Sequence, residues 1–136
     1  MTNAEVAEHQ RETANHLTGE VVDAAMKVHT ALGPGLLESA YEACLAHELR
    51  KRGLRVETQV PLPVTYEGMQ IELGYRIDLL VEGQVIVELK AVETVLPVHK
   101  AQLLSYLRLS GRRLGLLINF HVERLKDGIT RIVNNF

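Results

Sequence analysis

One cysteine, Cys44, stands in 136 residues. A lone thiol closes no internal disulfide and cannot supply a four-cysteine iron–sulfur or zinc site. A reducing compartment, the cytoplasm, is the expectation. No apolar run approaches the ~20 residues of a membrane span, so no membrane role is expected. The segment Met1–Glu20 is polar and acid-rich, lacks an apolar core stretch, and does not read as a secretory signal. No internal repeat, low-complexity tract or linker interrupts the chain. Cations are not in excess either: the net charge of −2 weighs against a protein coated in nucleic acid.

What is present suits one globular domain over 1–136, with 46% hydrophobic and 24% charged residues. The charge is uneven. Residues 1–82 carry 7 basic and 13 acidic side chains, and residues 83–136 carry 8 and 4. Two basic clusters stand out, Arg50-Lys51-Arg52 with Arg55, and Arg108 with Arg112-Arg113. Each also reads as a solvated helix end, where cations suit the macrodipole.

Residues 1–15 lack strong periodicity and are expected to form a flexible tail or a frayed helix. From Leu17 to Leu32 apolar residues recur every three or four positions, which predicts an amphipathic helix ended by Gly33-Pro34-Gly35. A second helix is predicted from about Leu36 to Arg52, capped by Gly53. The period then becomes two. Strands are predicted around Leu54–Tyr66, over a long run from Met69 to Val81, and from Gln84 to Lys90. Pro97 opens a helix that stops near Ser110-Gly111. Leu114–Phe120 reads as a doubly covered central strand, and Ile129–Val133 as a last short one. The order is helix, helix, three or four strands, helix, strand, strand. It predicts an α/β fold with a mixed β-sheet flanked by helices, and a parallel crossover after Lys90.

The chemistry concentrates in Asp78 and in Glu88-Leu89-Lys90. Strand periodicity sets Glu88 and Lys90 on one face, behind Ile86. Charges enter a covered face only with compensation. A two-residue loop at Glu82-Gly83 would turn Asp78 away from Glu88. A three-residue loop, with Gly83 free to take a positive φ, brings Asp78, Glu88 and Lys90 together. We expect the odd-length loop. Two carboxylates and the backbone carbonyl of Leu89 would then form an open site for Mg²⁺ or Mn²⁺. Lys90 would orient or deprotonate a water and stabilise charge on a phosphoryl group. The competing reading is a plain salt bridge from Lys90 to Glu88 or Asp78.

On the helix after Pro97, His99, Gln102 and Tyr106 are spaced i, i+3 and i+7 and share one face. Facing the sheet, they would bind phosphate or bases; facing outward, they are a solvated stripe. Glu38 falls in the first turn of the second helix, where an acid suits the helix dipole or adds a carboxylate to a metal.

Gly35, Glu38 and Tyr41 resemble the motif of the GxxExxY family, together with Glu88-Leu89-Lys90, the stretch from Ala101 to Tyr106, and Leu116-Leu117-Ile118-Asn119-Phe120. That family resembles a branch of the PD-(D/E)XK nuclease superfamily, which implies a restriction-endonuclease-like core. The resemblance implies Asp78, Glu88, Lys90 and Glu38 as catalytic residues, with Asp78, Glu88, Glu38 and the Leu89 carbonyl holding metal. Gln102 and Tyr106 resemble the Q-x-x-x-Y of RecB-type exonuclease domains. Ile77 departs from the proline of the superfamily name. The cluster cysteines of some RecB-type relatives are absent, so no iron–sulfur cluster is expected.

Two functions are expected. One is a Mg²⁺- or Mn²⁺-dependent deoxyribonuclease; the other is a non-catalytic module holding nucleic acid or a protein on the same fold. DNA is the expected partner. Homodimerisation, a partner protein, RNA as substrate, and endo or exo cleavage stay open.

Overall fold

The computed structural model describes residues 1–135. Two helices open the chain, α1 (Asn3–Leu32) and α2 (Glu38–Lys51). The first begins much earlier than its apolar spacing suggests. Glu5 N–H donates to the Thr2 hydroxyl and Thr2 N–H to the Glu5 carboxylate, a capping box. Residues 3–15, expected as a tail or a frayed end, thus continue the same helix. Only Ala14 among them is buried, which is why no apolar period marks them.

Five strands come next: β1 (Val56–Pro61), β2 (Val64–Tyr66), β3 (Met69–Ile71), β4 (Arg76–Val81) and β5 (Val85–Lys90). The single long strand expected from Met69 to Val81 is two strands. Gly74 takes a left-handed φ of 81° between them, and residues 72–75 leave the ladder. Helix α3 (Pro97–Ser110) ends at Gly111, also left-handed. Then come β6 (Leu114–Asn119), a short 3-10 helix at Leu125–Gly128, and β7 (Ile129–Val133).

The main sheet runs β1-β4-β5-β6-β7, and β2 with β3 forms a separate hairpin. β5 and β6 are parallel, joined by the α3 crossover; the other pairs are antiparallel. Helices α1 and α2 cover one face, where Val21, Ala25, Leu45 and Leu49 meet Leu79, Val87, Leu116 and Ile118. Helix α3 covers the other, with Leu103, Tyr106 and Leu107 on Ile86 and Leu117. Each such side chain stabilises by ~1.5–3 kcal/mol on burial. Every residue of β6 is buried, as a strand covered on both faces must be. Gly115 lets α3 approach, since a Cβ there would lie 2.9 Å from Leu103 Cδ1.

The β4–β5 reversal has three residues, Glu82-Gly83-Gln84, because Val81 pairs with Val85. Glu82 and Gly83 both take positive φ, 51° and 64°. That odd length sets Asp78 opposite Glu88. The start of β4, the end of β5 and the first turn of α2 therefore gather at one end of the sheet.

Candidate active site

The paired register of β4 and β5 stops at Leu79↔Val87. One rung further, carboxylates bridge the strands. Asp78 N–H donates to Glu88 Oε2 at 3.1 Å, and Leu89 N–H donates to Asp78 Oδ2 at 2.9 Å. Side-chain oxygens accept the amide protons that ladder carbonyls would otherwise take. β4 also rolls here. Leu79 packs on the α1–α2 side, while Ile77, of the same parity, packs on the α3 side.

Glu88 is only 6% exposed. Burial first, then a hydrogen bond shared with the Asp78 carboxyl and the charge of Asp78, push its pKa up to about 9. The Asp78 N–H and the Lys90 charge act the other way without offsetting this. Two carboxyl groups thus lie together with too little positive charge to keep both ionised. Among the described residues no three His, Cys, Asp or Glu side chains are grouped to hold a metal ion. The donor chemistry nevertheless fits a hard, partly hydrated cation, which needs only one or two carboxylates from the protein.

Beside this rung opens a cleft of about 240 Å³, lined by Glu38, Ser39, Glu42, Gln59, Asp78 and Lys90. Helix α2 enters it in a fixed pose. The Tyr41 hydroxyl donates to the Gly33 carbonyl at 2.6 Å and accepts from Leu36 N–H at 3.1 Å. The Tyr41 ring stacks on Phe120, with centroids 4.5 Å apart. Gly35 between these contacts has φ 104°, which favours glycine. The spacing of Gly35, Glu38 and Tyr41 thus has a local logic: a turn, an acid at the cleft, and a clamp one turn later.

Sequence reasoning missed Glu42 and Gln59. Glu42 lies four residues after Glu38, so their shared helical face was readable. Gln59 was not, because its role depends on a left-handed φ of 52° inside a strand. Its amide donates to Glu42 Oε1 at 2.5 Å and to Asp78 Oδ1 at 3.3 Å. Burial raises the Glu42 pKa; the Gln59 hydrogen bond lowers it, and the charges of Asp78 and Glu38 raise it again.

Lys90 is half-buried in the cleft and forms no ion pair among the described residues. The salt bridge to Glu88 or Asp78 does not form. The backbone at Lys90 is well held. It pairs with Asn119, and its carbonyl accepts from Phe120 N–H at 2.8 Å. Buried Asn119 then pins the chain after Lys90, accepting from Val92 N–H and donating to the Val92 carbonyl.

The helical stripe divides. His99 Nδ1 accepts from Leu96 N–H at 3.0 Å and so caps α3. Gln102 is exposed, and its side chain makes no hydrogen bond among the described residues. Tyr106 is buried, its ring 6.0 Å from that of Tyr75. Burial raises the Tyr106 pKa, and the charges of Glu88 and Asp78 add to the shift.

A larger hollow of about 470 Å³ lies at the far end of the strands, against Gly83, Arg112 and Arg113, away from the carboxylates. Much of the basic clustering is spent within the fold. Arg52 bonds Asp23 and Glu20, Arg50 donates to the Val56 carbonyl, and Arg112 to that of Gly83. No helix among the described residues is long and apolar enough to cross a membrane.

The family model of the PD-(D/E)XK nuclease superfamily matches residues 15–132, a span that includes the whole sheet but for the last residue of β7, and every residue of the cleft. No curated protein and no solved structure gives a significant match.

Proposed function

The chain belongs to the PD-(D/E)XK nuclease superfamily, and from that premise we propose that it is a metal-dependent nuclease of the GxxExxY branch, hydrolysing phosphodiester bonds in DNA. The observation that carries this reading is Lys90: a lysine beside two crowded carboxyl groups that pairs with neither. A structural ion pair would use that charge. A catalytic site leaves it free for substrate.

Asp78 and Glu88, with the Leu89 carbonyl and Glu38, would hold Mg²⁺ or Mn²⁺. The bound ion supplies Lewis-acid activation of the phosphate and acidifies a water. Lys90 would orient or deprotonate the attacking water, and would offset charge growing on the phosphoryl oxygens. The Gln59 amide bridges Glu42 and Asp78 by donating to both. Gln102, exposed on α3, contacts the nucleic acid, while the His99 cap and the buried Tyr106 hold the helix that carries it.

The test incubates the protein with linear and circular DNA in Mg²⁺, Mn²⁺ or EDTA, beside Lys90→Ala. Cleavage should need the metal and vanish in the variant. Binding without cleavage under any metal would leave the non-catalytic module instead.

A further inference from the structure

The chain leaves the main sheet after Pro61 and re-enters it at Arg76, and the excursion between them is the β2–β3 hairpin. Its base is closed by Leu62 N–H donating to the Tyr75 carbonyl at 2.9 Å. Because β4 starts where β5 ends, this arm stands at the carboxylate end of the sheet. Its two strands pair only with each other.

The arm carries large apolar side chains that nothing covers. Tyr66 is 65% exposed and Tyr75 42%, and Met69 and Leu73 are also exposed. Core packing does not explain them. They also reach helix α3, where the Tyr75 ring lies 6.0 Å from that of Tyr106, at 57° between ring planes. Three cations mark the same end. Arg76 adjoins Tyr75, Lys90 lines the cleft, Lys100 lies in the first turn of α3, and none forms an ion pair among the described residues.

We propose that Tyr75 and the β2–β3 arm are a stacking platform for unpaired bases, so that the substrate enters the cleft as single-stranded DNA. Aromatic faces interleaved with free cations are the physical means of holding single strands. The arm's own charges, Glu67 and Glu72, repel phosphates. What the arm offers is ring faces, which serve a base and not a backbone. A duplex hides its base faces in the stack; a single strand presents them. The inference rests on the nuclease reading for the hydrolytic step, but binding itself is measured apart from cleavage.

The experiment uses the full chain carrying Lys90→Ala, in Mg²⁺, with a fluorescent oligonucleotide read by anisotropy as a single strand and as its duplex. The single strand should bind at least tenfold more tightly. Adding Tyr75→Ala should weaken it about tenfold, in line with the ~1–3 kcal/mol of base–aromatic stacking, and leave duplex binding unchanged. Tyr75→Phe should keep the affinity. Should Tyr75→Ala disturb the fold, seen as a shifted urea midpoint, Tyr66→Ala on the outer arm carries the same comparison. Equal binding of both forms, or no effect of either alanine, overturns the platform. A change in sedimentation with unchanged oligonucleotide affinity assigns the patch to a protein contact and overturns it too. Wild-type cleavage, assayed in parallel, separates the failures: cleavage without single-strand preference rejects only the platform, and preference without cleavage rejects only hydrolysis.

Discussion

Asp78 and Glu88 face each other across β4 and β5, and the Asp78 backbone N–H donates into the Glu88 carboxyl group at 3.1 Å. The contact wedges two acids between strands that would otherwise keep their ladder. It sets a buried carboxyl pair where the two strands part, and the raised pKa of Glu88 makes its protonation a reporter of the site.

Without a divalent cation, stability should depend on Glu88. Its folded-state pKa, about 9, stands above the ordinary value of 4.5. Between those values the native protein holds a proton that the unfolded chain has released. The stability that Glu88 contributes should therefore be fully present below pH 4.5 and fall as pH rises toward 9. Urea unfolding in EDTA across this range should show that slope, and Glu88→Gln should flatten it. Cation binding must expel the shared proton, so Mg²⁺ affinity should rise with pH in calorimetry. A flat stability profile would place the Glu88 charge elsewhere.

Lys90→Ala should separate activity from stability. With no ion pair to lose, the variant should unfold within ~0.5 kcal/mol of the parent. Cleavage should drop ~10²–10⁴-fold, the scale of a lost acid–base group. An equal loss of stability and activity would mean that the lysine is structural.

Tyr41→Phe keeps the ring on Phe120 and removes both hydroxyl contacts. The cost should be ~1–3 kcal/mol, because Leu36 N–H and the Gly33 carbonyl lose their partner. Activity should fall as well, since Glu38 loses its fixed approach. Thermal unfolding and a DNA cleavage assay read the two effects.

Asn119→Ala should be the more damaging change. Three bonds go at once, from Val92 N–H, to the Val92 carbonyl and from His121 N–H. A loss of roughly 2–4 kcal/mol is expected, with orphaned groups at Val92. Protease nicking between Ala91 and Leu96 should rise in step.

The sequence disclosed more of the fold than of the site. Apolar pattern, together with the Gly and Pro residues at element ends, placed α2, α3, β6 and β7 within a residue or two. It failed where exposure breaks its logic. Leu73 and Tyr75 continue the alternation of a strand, yet they are uncovered and Gly74 turns the chain between them. Residues 3–15 bury almost nothing, so a pattern of burial could not announce their helix. In the site, the sequence allowed a two- or a three-residue loop, and the three-residue one, expected because it alone brings Asp78 to Glu88, is the one that forms. Gln59 escaped because a left-handed residue within a strand has no side-chain signature unless it is glycine. His99 and Tyr106 shared a face as spacing required, but spacing carries no depth. One became a cap and the other a buried ring.

One hydroxyl, that of Tyr41, touches the end of α1's exit turn and the approach to α2 together. Its consequence is thermodynamic timing. A loop free to wander would have to surrender its backbone entropy, ~1–2 kcal/mol per residue, whenever a cation or substrate arrived. Here that surrender is made once, during folding, on the side of the sheet remote from α3. At the proposed metal site Glu38 would have only the rotamers of its own side chain to settle, so little binding energy would be diverted into ordering the helix that bears it.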